Sequence, residues 1–213
     1  MSNSPDFVDR DDRINASEAV RKKEKGLAIA FAFYSPKNKK KMTLLGIPAY
    51  CHTLLCEGDP DIVRYEPSRL YENRSRLMRQ VADIFYRGGH VETWVFTWEQ
   101  PKDRTISFSH WRDDFIWKSA EGLENKKILI GNWIRLRAFM AAARGLSTMQ
   151  ERRIMQEQLD RRSTTTLRDL VFAEGADYGL MCCEVASSLA LGRVICNLES
   201  QRLRLTTVIR RPT

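Results

Sequence analysis

Residues 81–98 read VADIFYRGGHVETWVFTW, so that two runs of apolar, β-branched and aromatic residues flank an Arg-Gly-Gly-His turn. Short glycine-containing turns between two such runs are typical of β-hairpins. Successive side chains of a strand point to opposite faces, which separates Val95 from its neighbours Trp94 and Phe96. The stretch therefore predicts two antiparallel strands in the middle of the chain.

The segments around this hairpin predict a mixed α/β domain. The uncharged run at 27–34, LAIAFAFY, predicts a strand, and residues 44–56 predict a helix that is entered through Pro48. Two further short strands are predicted at 62–66 and 105–108. Together with the hairpin, these strands and the helix predict a mixed α/β domain that ends near residue 120.

The last third of the chain predicts a different, helical domain. Four segments have helical periodicity and flanking capping residues, and two β-branched or apolar runs follow them. The helical segments are 132–143, 147–161, 167–173 and 177–191, and the two runs are 193–198 and 203–209. Three helices followed by a β-hairpin is the chain order of a winged helix, and the short connections suit a helix-turn-helix.

The charge of the chain is positive and unevenly distributed. Its 213 residues include 35 Lys and Arg against 27 Asp and Glu, which gives a formal net charge of +8 and a pI of about 9.4. Residues 21–41 hold eight basic residues and one acid, and residues 135–213 hold 13 Arg and 8 acids. Clustered Lys and Arg neutralise phosphates, so the default partner of such a chain is nucleic acid. The position of the lysine run between a strand and a helix suits contact with a duplex, so we expect double-stranded DNA. The alternative is a surface whose charge only maintains solubility.

The residues that we expect to contact DNA come from three basic clusters. One lies in residues 1–26, which we expect to form a flexible basic N-terminal segment. The second follows the first predicted strand, and the third surrounds the predicted wing. The residues are Lys22, Lys23, Lys37, Lys39, Lys40, Lys41, Arg193, Arg202 and Arg204.

Composition and motifs exclude several classes of protein. The longest apolar run, 27–34, is far shorter than the ~20 residues that a membrane-spanning helix needs. The polar, acidic N-terminus does not resemble a signal peptide, and an odd number of cysteines argues against a secreted disulfide framework. The sequence has no nucleophile elbow, phosphate-binding loop or zinc-protease motif. We therefore expect a cytoplasmic protein with no membrane partner.

Asp83 and Glu92, on the two strands of the predicted hairpin, are candidate metal ligands and candidate catalytic residues. Carboxylates on adjacent strands can hold Mg²⁺, and the ion can activate a hydroxide against a phosphodiester. The alternative is that both are ordinary polar strand residues. A second candidate, Cys51, His52 and Cys56, lacks a fourth zinc ligand and the usual paired spacing, which favours one face of a structural helix.

Several short motifs, taken in order, resemble those of TnsA-type endonuclease subunits of heteromeric transposases. In the first half these are SPKNKKK at 35–41 and LLCEGDPDIVRYE at 54–66. In the second half they are Asn132 before a helix, TLRDL at 166–170, and LALGRVICNL at 189–198 with LTTV at 205–208. The motifs cover residues 27–210 as scattered short patterns in a shared order.

The resemblance implies a restriction-endonuclease-like mixed-sheet domain over residues 27–130, followed by a winged-helix-like domain over residues 131–213. In that family the subunit cuts DNA at transposon ends, together with an integrase-type transposase and an ATPase regulator. The resemblance therefore implies DNA, a transposase and an ATPase as partners.

The nuclease residues of the family are largely missing from this sequence. The glutamate of the first helix falls near Leu45 or Ala49, Ala82 replaces the proline before Asp83, and the Glu-x-Lys motif falls on residues 95–98, VFTW. Without the lysine and two carboxylates, a metal ion and the attacking water lose their ligands. We therefore expect a DNA-binding subunit that positions partner transposase proteins at DNA ends and does not cut.

Two alternatives remain open at this stage. In the first, Asp83 and Glu92 form an unorthodox Mg²⁺ site with Glu57 or Glu99, and the protein is an active DNA endonuclease. In the second, the same fold serves only as a protein-interaction adaptor or inhibitor. The predicted recognition helix at 177–191 has no Arg, Asn or Gln, so the sequence does not predict base readout by that helix.

Overall fold

The computed structural model describes residues 29–71, 78–100 and 115–212, and shows a mixed α/β chain. We call the described residues up to 119 the sheet half and those from 120 onward the helical half. The sheet half contains β1 (Ala30–Ser35), β2 (Lys40–Leu45), α1 (Ile47–Gly58), β3 (Ile62–Tyr71), β4 (Met78–Tyr86), β5 (Val91–Thr97) and β6 (Phe115–Ser119). The helical half contains a 3₁₀ helix (Glu121–Lys126), α2 (Lys127–Ala142), α3 (Met149–Arg162), β7 (Thr164–Thr166), α4 (Leu167–Val171), α5 (Tyr178–Ala190) and β8 (Val208–Arg210).

The main sheet has four strands in the order β3-β4-β5-β6. β4 pairs antiparallel with both β3 and β5, and β5 pairs parallel with β6. The turn at 87–90 joins β4 to β5, so the hairpin predicted at 81–98 is confirmed. β3 is longer than predicted, and the strand predicted at 105–108 lies outside the described residues.

Helix α1 covers one face of this sheet. Pro48 lies in its first turn, where the missing backbone donor costs nothing, as the sequence predicts. The buried side chains of Leu54, Ile84, Trp94 and Phe96 belong to one core between the helix and the sheet. Residues of the opposite parity, such as Val95, face the other side of the sheet.

The β1–β2 hairpin packs against the same core. Its inward residues Phe33, Met42 and Leu44 are buried, and the ring of Phe31 stacks on that of Tyr50 in α1 with 4.4 Å between ring centroids. Its exposed residues are Ala30, Ala32 and Thr43 together with Lys39, Lys40 and Lys41, so the charge of the hairpin is concentrated beside its turn.

Helices α2, α3 and α5 form the core of the helical half. Trp133, Leu136, Met155, Leu159 and Met181 are among its buried residues. Nine of the 13 residues of α5 are buried, so this helix lies at the centre of the core and exposes little side-chain surface.

Helix α2 belongs to both halves. Ile130 and Ile134 pack against the sheet-half core, whereas Trp133 packs in the helical-half core. The predicted boundary at 130/131 lies inside this helix. A Cβ atom on Gly58 would lie 2.1 Å from the Trp133 ring, so only glycine allows α1 and α2 to approach this closely.

The hairpin predicted from 193–198 and 203–209 is wrong. β8 pairs antiparallel with β7, and Ile195 makes only an isolated bridge to Arg210. The second run is used elsewhere, because the carbonyls of Leu205 and Thr207 accept from the backbone nitrogens of Arg168 and Leu167. The side-chain amide of Asn132 holds the loop between the runs: its nitrogen donates to the carbonyls of Leu198 and Gln201 and its oxygen accepts from the backbone of Leu203. The loop at 198–203 is therefore held by a buried side chain of α2, and its backbone groups are not left for strand pairing.

Candidate nucleic-acid interface

Asp83 and Glu92 do not form a shared metal site. Asp83 is the cross-strand partner of Thr93, and Glu92 is the partner of Ile84. Cross-strand partners share a face and adjacent residues alternate, so the two carboxylates project from opposite faces of the sheet. The sequence prediction overlooked this parity, and the predicted Mg²⁺ site does not fit the structure.

Asp83 lies between two side chains on its own face. The Thr93 hydroxyl donates to Asp83 Oδ1 at 2.6 Å, and Glu66 is the partner of Asp83 on β3. Glu66 forms an ion pair with Arg64. Among the described residues, no group of three or more His, Cys, Asp or Glu side chains is arranged to hold a metal ion.

Glu92 is occupied as a hydrogen-bond acceptor on the other face. The Tyr86 hydroxyl donates to it at 2.8 Å, the Trp94 indole nitrogen at 2.7 Å and His90 Nε2 at 3.1 Å. Burial acts to raise the pKa of Glu92, but these hydrogen bonds and the nearby Lys118 outweigh it and lower the pKa. The carboxylate is thus ionised and fixed by structural contacts.

The other two acids of the endonuclease alternative do not complete a site either. Glu57 is buried on α1, where it accepts from the hydroxyls of Ser35 and Tyr65 and from the Lys37 backbone nitrogen at 3.0 Å. Since α1 covers the face opposite to Asp83, Glu57 and Asp83 are on different sides of the sheet. Glu99 lies beyond the end of β5 and is exposed.

His52 has a structural contact, as the interpretation of 51–56 as a helix face expects. Its ring Nε2 donates to the Ser119 carbonyl at 3.0 Å, which ties α1 to β6. Burial lowers the pKa of His52 to about 4 and raises that of Cys51 to about 11. Both groups are therefore neutral at pH 7.

Lys37 is the first residue of the predicted DNA-binding set that has a different role. Its ammonium group donates to the carbonyls of Asp59 and, at 2.6 Å, Ile62, just beyond the end of α1. Burial lowers its pKa, although the nearby Glu57 acts in the opposite direction. Lys37 therefore stabilises the hairpin turn on the domain, and its charge is not free for a phosphate.

The next three lysines of the same run are free. Lys39, Lys40 and Lys41 are exposed at the tip of the hairpin, and none has an ion-pair partner within residues 29–71, 78–100 and 115–212. Lys39 has φ +54°, so the chain turns sharply between the two strands. Lys39 ends the turn, whereas Lys40 and Lys41 are adjacent in β2, so the side chains of Lys40 and Lys41 project to opposite faces of the hairpin.

Arg144, just beyond α2, extends this group of cations. Its guanidinium lies over the ring of Tyr34, 4.9 Å from the ring centroid, and Tyr34 is the cross-strand partner of Lys41. We call Lys39, Lys40, Lys41 and Arg144 the hairpin basic surface. Sequence reasoning missed Arg144 because 110 positions separate it from Tyr34 and no local pattern links them.

Arg193 is the second predicted DNA-binding residue that has a structural role. It donates to the fully buried Glu184 at 3.2 Å, and Arg152 donates to the same carboxylate at 2.9 Å. Burial acts to raise the pKa of Glu184, but hydrogen bonds from Arg152, Thr148 and Ser188 lower it. The Arg193 charge is therefore largely satisfied within the protein.

Arg202 and Arg204 are exposed on the loop before β8, without an ion-pair partner in the described part of the chain. Lys22 and Lys23 lie outside the described residues. The exposed side chains near the start of α5 include Tyr178 but no cation, which agrees with the absence of base-reading residues from that helix.

No protein-family model, curated protein or solved structure matches the chain. Within the described residues, no helix has the length and apolar character that crossing a membrane requires.

Proposed function

We propose that this protein is a DNA-binding subunit of a transposition-type DNA-processing complex, resembling TnsA but without nuclease activity. The observation that carries the proposal is the hairpin basic surface, whose four exposed cations have no acidic partners in the described part of the chain. Lys41 lies on the hairpin face of Tyr34 and Arg144, and Lys40 projects from the other face of the same strand. Such a cluster repels itself, and the phosphates of duplex DNA neutralise it.

The surroundings of this surface suit a rigid phosphate contact. Lys37 and Glu57 anchor the base of the turn, so Lys39, Lys40 and Lys41 extend from a fixed backbone. Arg144 is held by the Tyr34 ring at one side of the same hairpin. Preorganised cations lose less conformational entropy on binding than cations on a free tail.

The chain order of the helical half supports a winged-helix-like domain. α3, β7, α4 and α5 follow one another, Ile195 bridges to β8, and β8 closes the small sheet on β7. In this arrangement Arg202 and Arg204 lie on the loop that corresponds to the wing. We infer that this loop makes a second set of phosphate contacts.

The absence of nuclease activity is inferred from the chemistry of the residues. The positions of the Glu-x-Lys motif hold the buried side chains of Val95, Phe96 and Thr97, none of which binds a metal ion or positions water as the motif does. Asp83 and Glu92 point to opposite faces. By resemblance, an integrase-type transposase and an ATPase regulator are the proposed partners.

The test is a binding titration with a labelled duplex at about 50 mM and about 200 mM salt. The four cations of the hairpin basic surface alone predict that affinity falls about 150-fold between the two conditions, and phosphate contacts from Arg202 and Arg204 would increase the fall. Lys40→Gln/Lys41→Gln should weaken binding and reduce the salt slope by about 2, since each lost contact removes about 0.9. Lys126→Gln/Lys127→Gln is the matched control, because these exposed lysines lie at the other end of α2, about 25 Å from Arg144.

The same preparation should be incubated with supercoiled plasmid and Mg²⁺. Nicking that Asp83→Ala abolishes would overturn the non-catalytic part of the proposal and favour the endonuclease alternative. Equal affinity at the two salt concentrations, or equal effects of the two double variants, would refute the hairpin basic surface as the DNA contact. A wild-type protein that binds no DNA at either salt concentration would favour the adaptor alternative.

A further inference from the structure

A second basic cluster lies in the helical half, where the last turn of α3 faces α4. The groove there has a volume of about 530 Å³ and is lined by Gln158, Arg161, Arg162, Arg168, Asp169 and Phe172. None of these residues was selected by sequence reasoning, because α3 and α4 separately show only ordinary charged helix faces. The groove exists because β7 turns the chain back between the two helices.

The three arginines of the groove are exposed, and none has an ion-pair partner among the described residues. Arg161 and Arg162 lie in the last turn of α3, where the helix dipole favours a cation. Arg168 lies in α4, which has only five residues. Three neighbouring guanidinium groups without acidic partners favour an anionic ligand.

Asp169 is the one acid of the groove, and α4 already uses it. Its carboxylate accepts from the Thr166 hydroxyl at 2.7 Å and from the Thr166 backbone, and Thr166 caps the helix in return. The hydrogen bonds from Thr166 lower the pKa of Asp169, and the nearby Arg162 and Arg168 act in the same direction. One carboxylate does not balance three cations, so the groove remains positive.

Two aromatic rings extend from the same cluster. The side chain of Phe172 is 66% exposed although it is fully apolar, and that of Tyr178 is 38% exposed. Their ring centroids are 6.4 Å apart and the rings are tilted by 53°. An exposed phenylalanine beside unpaired arginines is the combination with which proteins bind unpaired bases and their phosphates.

We propose that this groove binds single-stranded nucleic acid, with phosphates on Arg161, Arg162 and Arg168 and an unpaired base on the Phe172 ring. Bases within a duplex are stacked on each other and do not reach such a ring, whereas bases of a frayed or single strand do. The inference rests on the proposed function in one respect, namely that the protein binds nucleic acid. It adds a site for unpaired strands that is separate from the hairpin basic surface.

The experiment uses the full chain and three labelled probes: oligo-dT of about 12 nucleotides, the same backbone without bases, and a blunt duplex. Phe172→Ala should weaken oligo-dT binding about fivefold to tenfold, the lower part of the range for one stacked base, and leave the base-free strand unaffected. Phe172→Trp should restore the affinity for oligo-dT. Leu191→Ala removes a different exposed apolar side chain and should change nothing.

Arg161→Gln/Arg162→Gln should weaken both single-stranded probes and reduce their salt slope by about 1.4. Neither this variant nor Phe172→Ala should change duplex affinity, and Lys40→Gln/Lys41→Gln should change duplex affinity alone. A wild-type protein that binds duplex but not oligo-dT would overturn this inference and leave the proposed function standing. Binding of oligo-dT without binding of the duplex would refute the proposed function and support this inference. An unchanged affinity in Phe172→Ala would refute base stacking, and would favour a protein partner for the aromatic pair.

Discussion

Each half of the molecule has a fully buried glutamate that holds part of a basic segment, but the two glutamates are stabilised differently. In the sheet half, Glu57 accepts from two hydroxyls and a backbone nitrogen, all of them neutral donors. In the helical half, Glu184 accepts from two arginines and two hydroxyls. In each half, the basic residue near the glutamate, Lys37 or Arg193, makes structural contacts. The basic residues farther along the chain remain exposed.

The largest effect is expected at Glu184, because its loss leaves two cations without their acidic partner. Glu184→Ala should reduce the free energy of unfolding by about 3 kcal/mol, at the low end for a buried pair because Arg152 and Arg193 remain partly exposed. Urea denaturation measures this. The control is Glu157→Gln, which removes the exposed pair with Arg153 and should cost less than about 0.5 kcal/mol. Equal losses of stability in the two variants would show that the buried ion pairs of Glu184 stabilise the fold no more than an exposed pair does.

The second-largest effect is expected at low pH, where the sheet half should lose stability. The folded pKa of His52 is about 4, below the unfolded value of about 6.5, so the unfolded chain binds more protons between these values. Stability should therefore be complete above about pH 6.5 and decrease as the pH falls, by about 2.5 kcal/mol at about pH 4.5.

The measurement is the free energy of unfolding as a function of pH. His52→Gln keeps a donor for the Ser119 carbonyl and should remove most of this pH dependence. Loss of stability at Glu184 begins only below its unfolded pKa of about 4.5, because its folded pKa is lowered. A pH profile unchanged in the His52 variant would exclude His52 as the cause.

Glu57 should have a smaller effect than Glu184, because its hydrogen-bond donors are all neutral. In Glu57→Gln the side-chain amide can still accept from Ser35 and Tyr65, but its NH₂ group then faces the backbone donor of Lys37. We expect a loss of about 1.5 kcal/mol, measured by urea denaturation. A loss larger than that of Glu184→Ala would break the comparison between the two halves.

The smallest effects should separate two lysines of one run. Lys37→Gln loses the ammonium hydrogen bonds to Asp59 and Ile62 and should cost about 1 kcal/mol of stability. Lys40→Gln should leave stability within about 0.5 kcal/mol and reduce duplex affinity. Thermal unfolding and a duplex titration on both variants test this. If Lys37→Gln alone weakened duplex binding without destabilising the fold, Lys37 would be a phosphate contact after all.

Local patterns in the sequence predicted most elements of the fold. The apolar runs and the turn at 87–90 are sufficient for the β4–β5 hairpin, and Pro48 and Asp177 mark the first turns of α1 and α5. These signals act over a few residues, through backbone dihedral angles and hydrogen bonds between neighbours. Strand pairing at the C-terminus was not predictable in this way, because β8 pairs with β7, which lies more than 40 residues earlier in the chain.

The candidate site depended more on tertiary structure. Its lysines were predicted from charge alone, but the same charge pattern includes Lys37 and Arg193, which the folded chain uses internally. The metal-site prediction was wrong because the face of a strand residue depends on register with its partner strand.

By itself the sequence determined the central hairpin, most of the helices, the positive charge and the absence of the nuclease motif, because these are properties of composition and of near neighbours. It did not predict β2, β6 or β7. Only the tertiary structure decided which cations remain free, that Arg144 joins the lysines of the hairpin, and that Phe172 lies beside three arginines. The physical reason is burial. A charged side chain is buried only where donors or acceptors from distant segments form hydrogen bonds or ion pairs with it. The packing of the whole chain determines which segments come into contact.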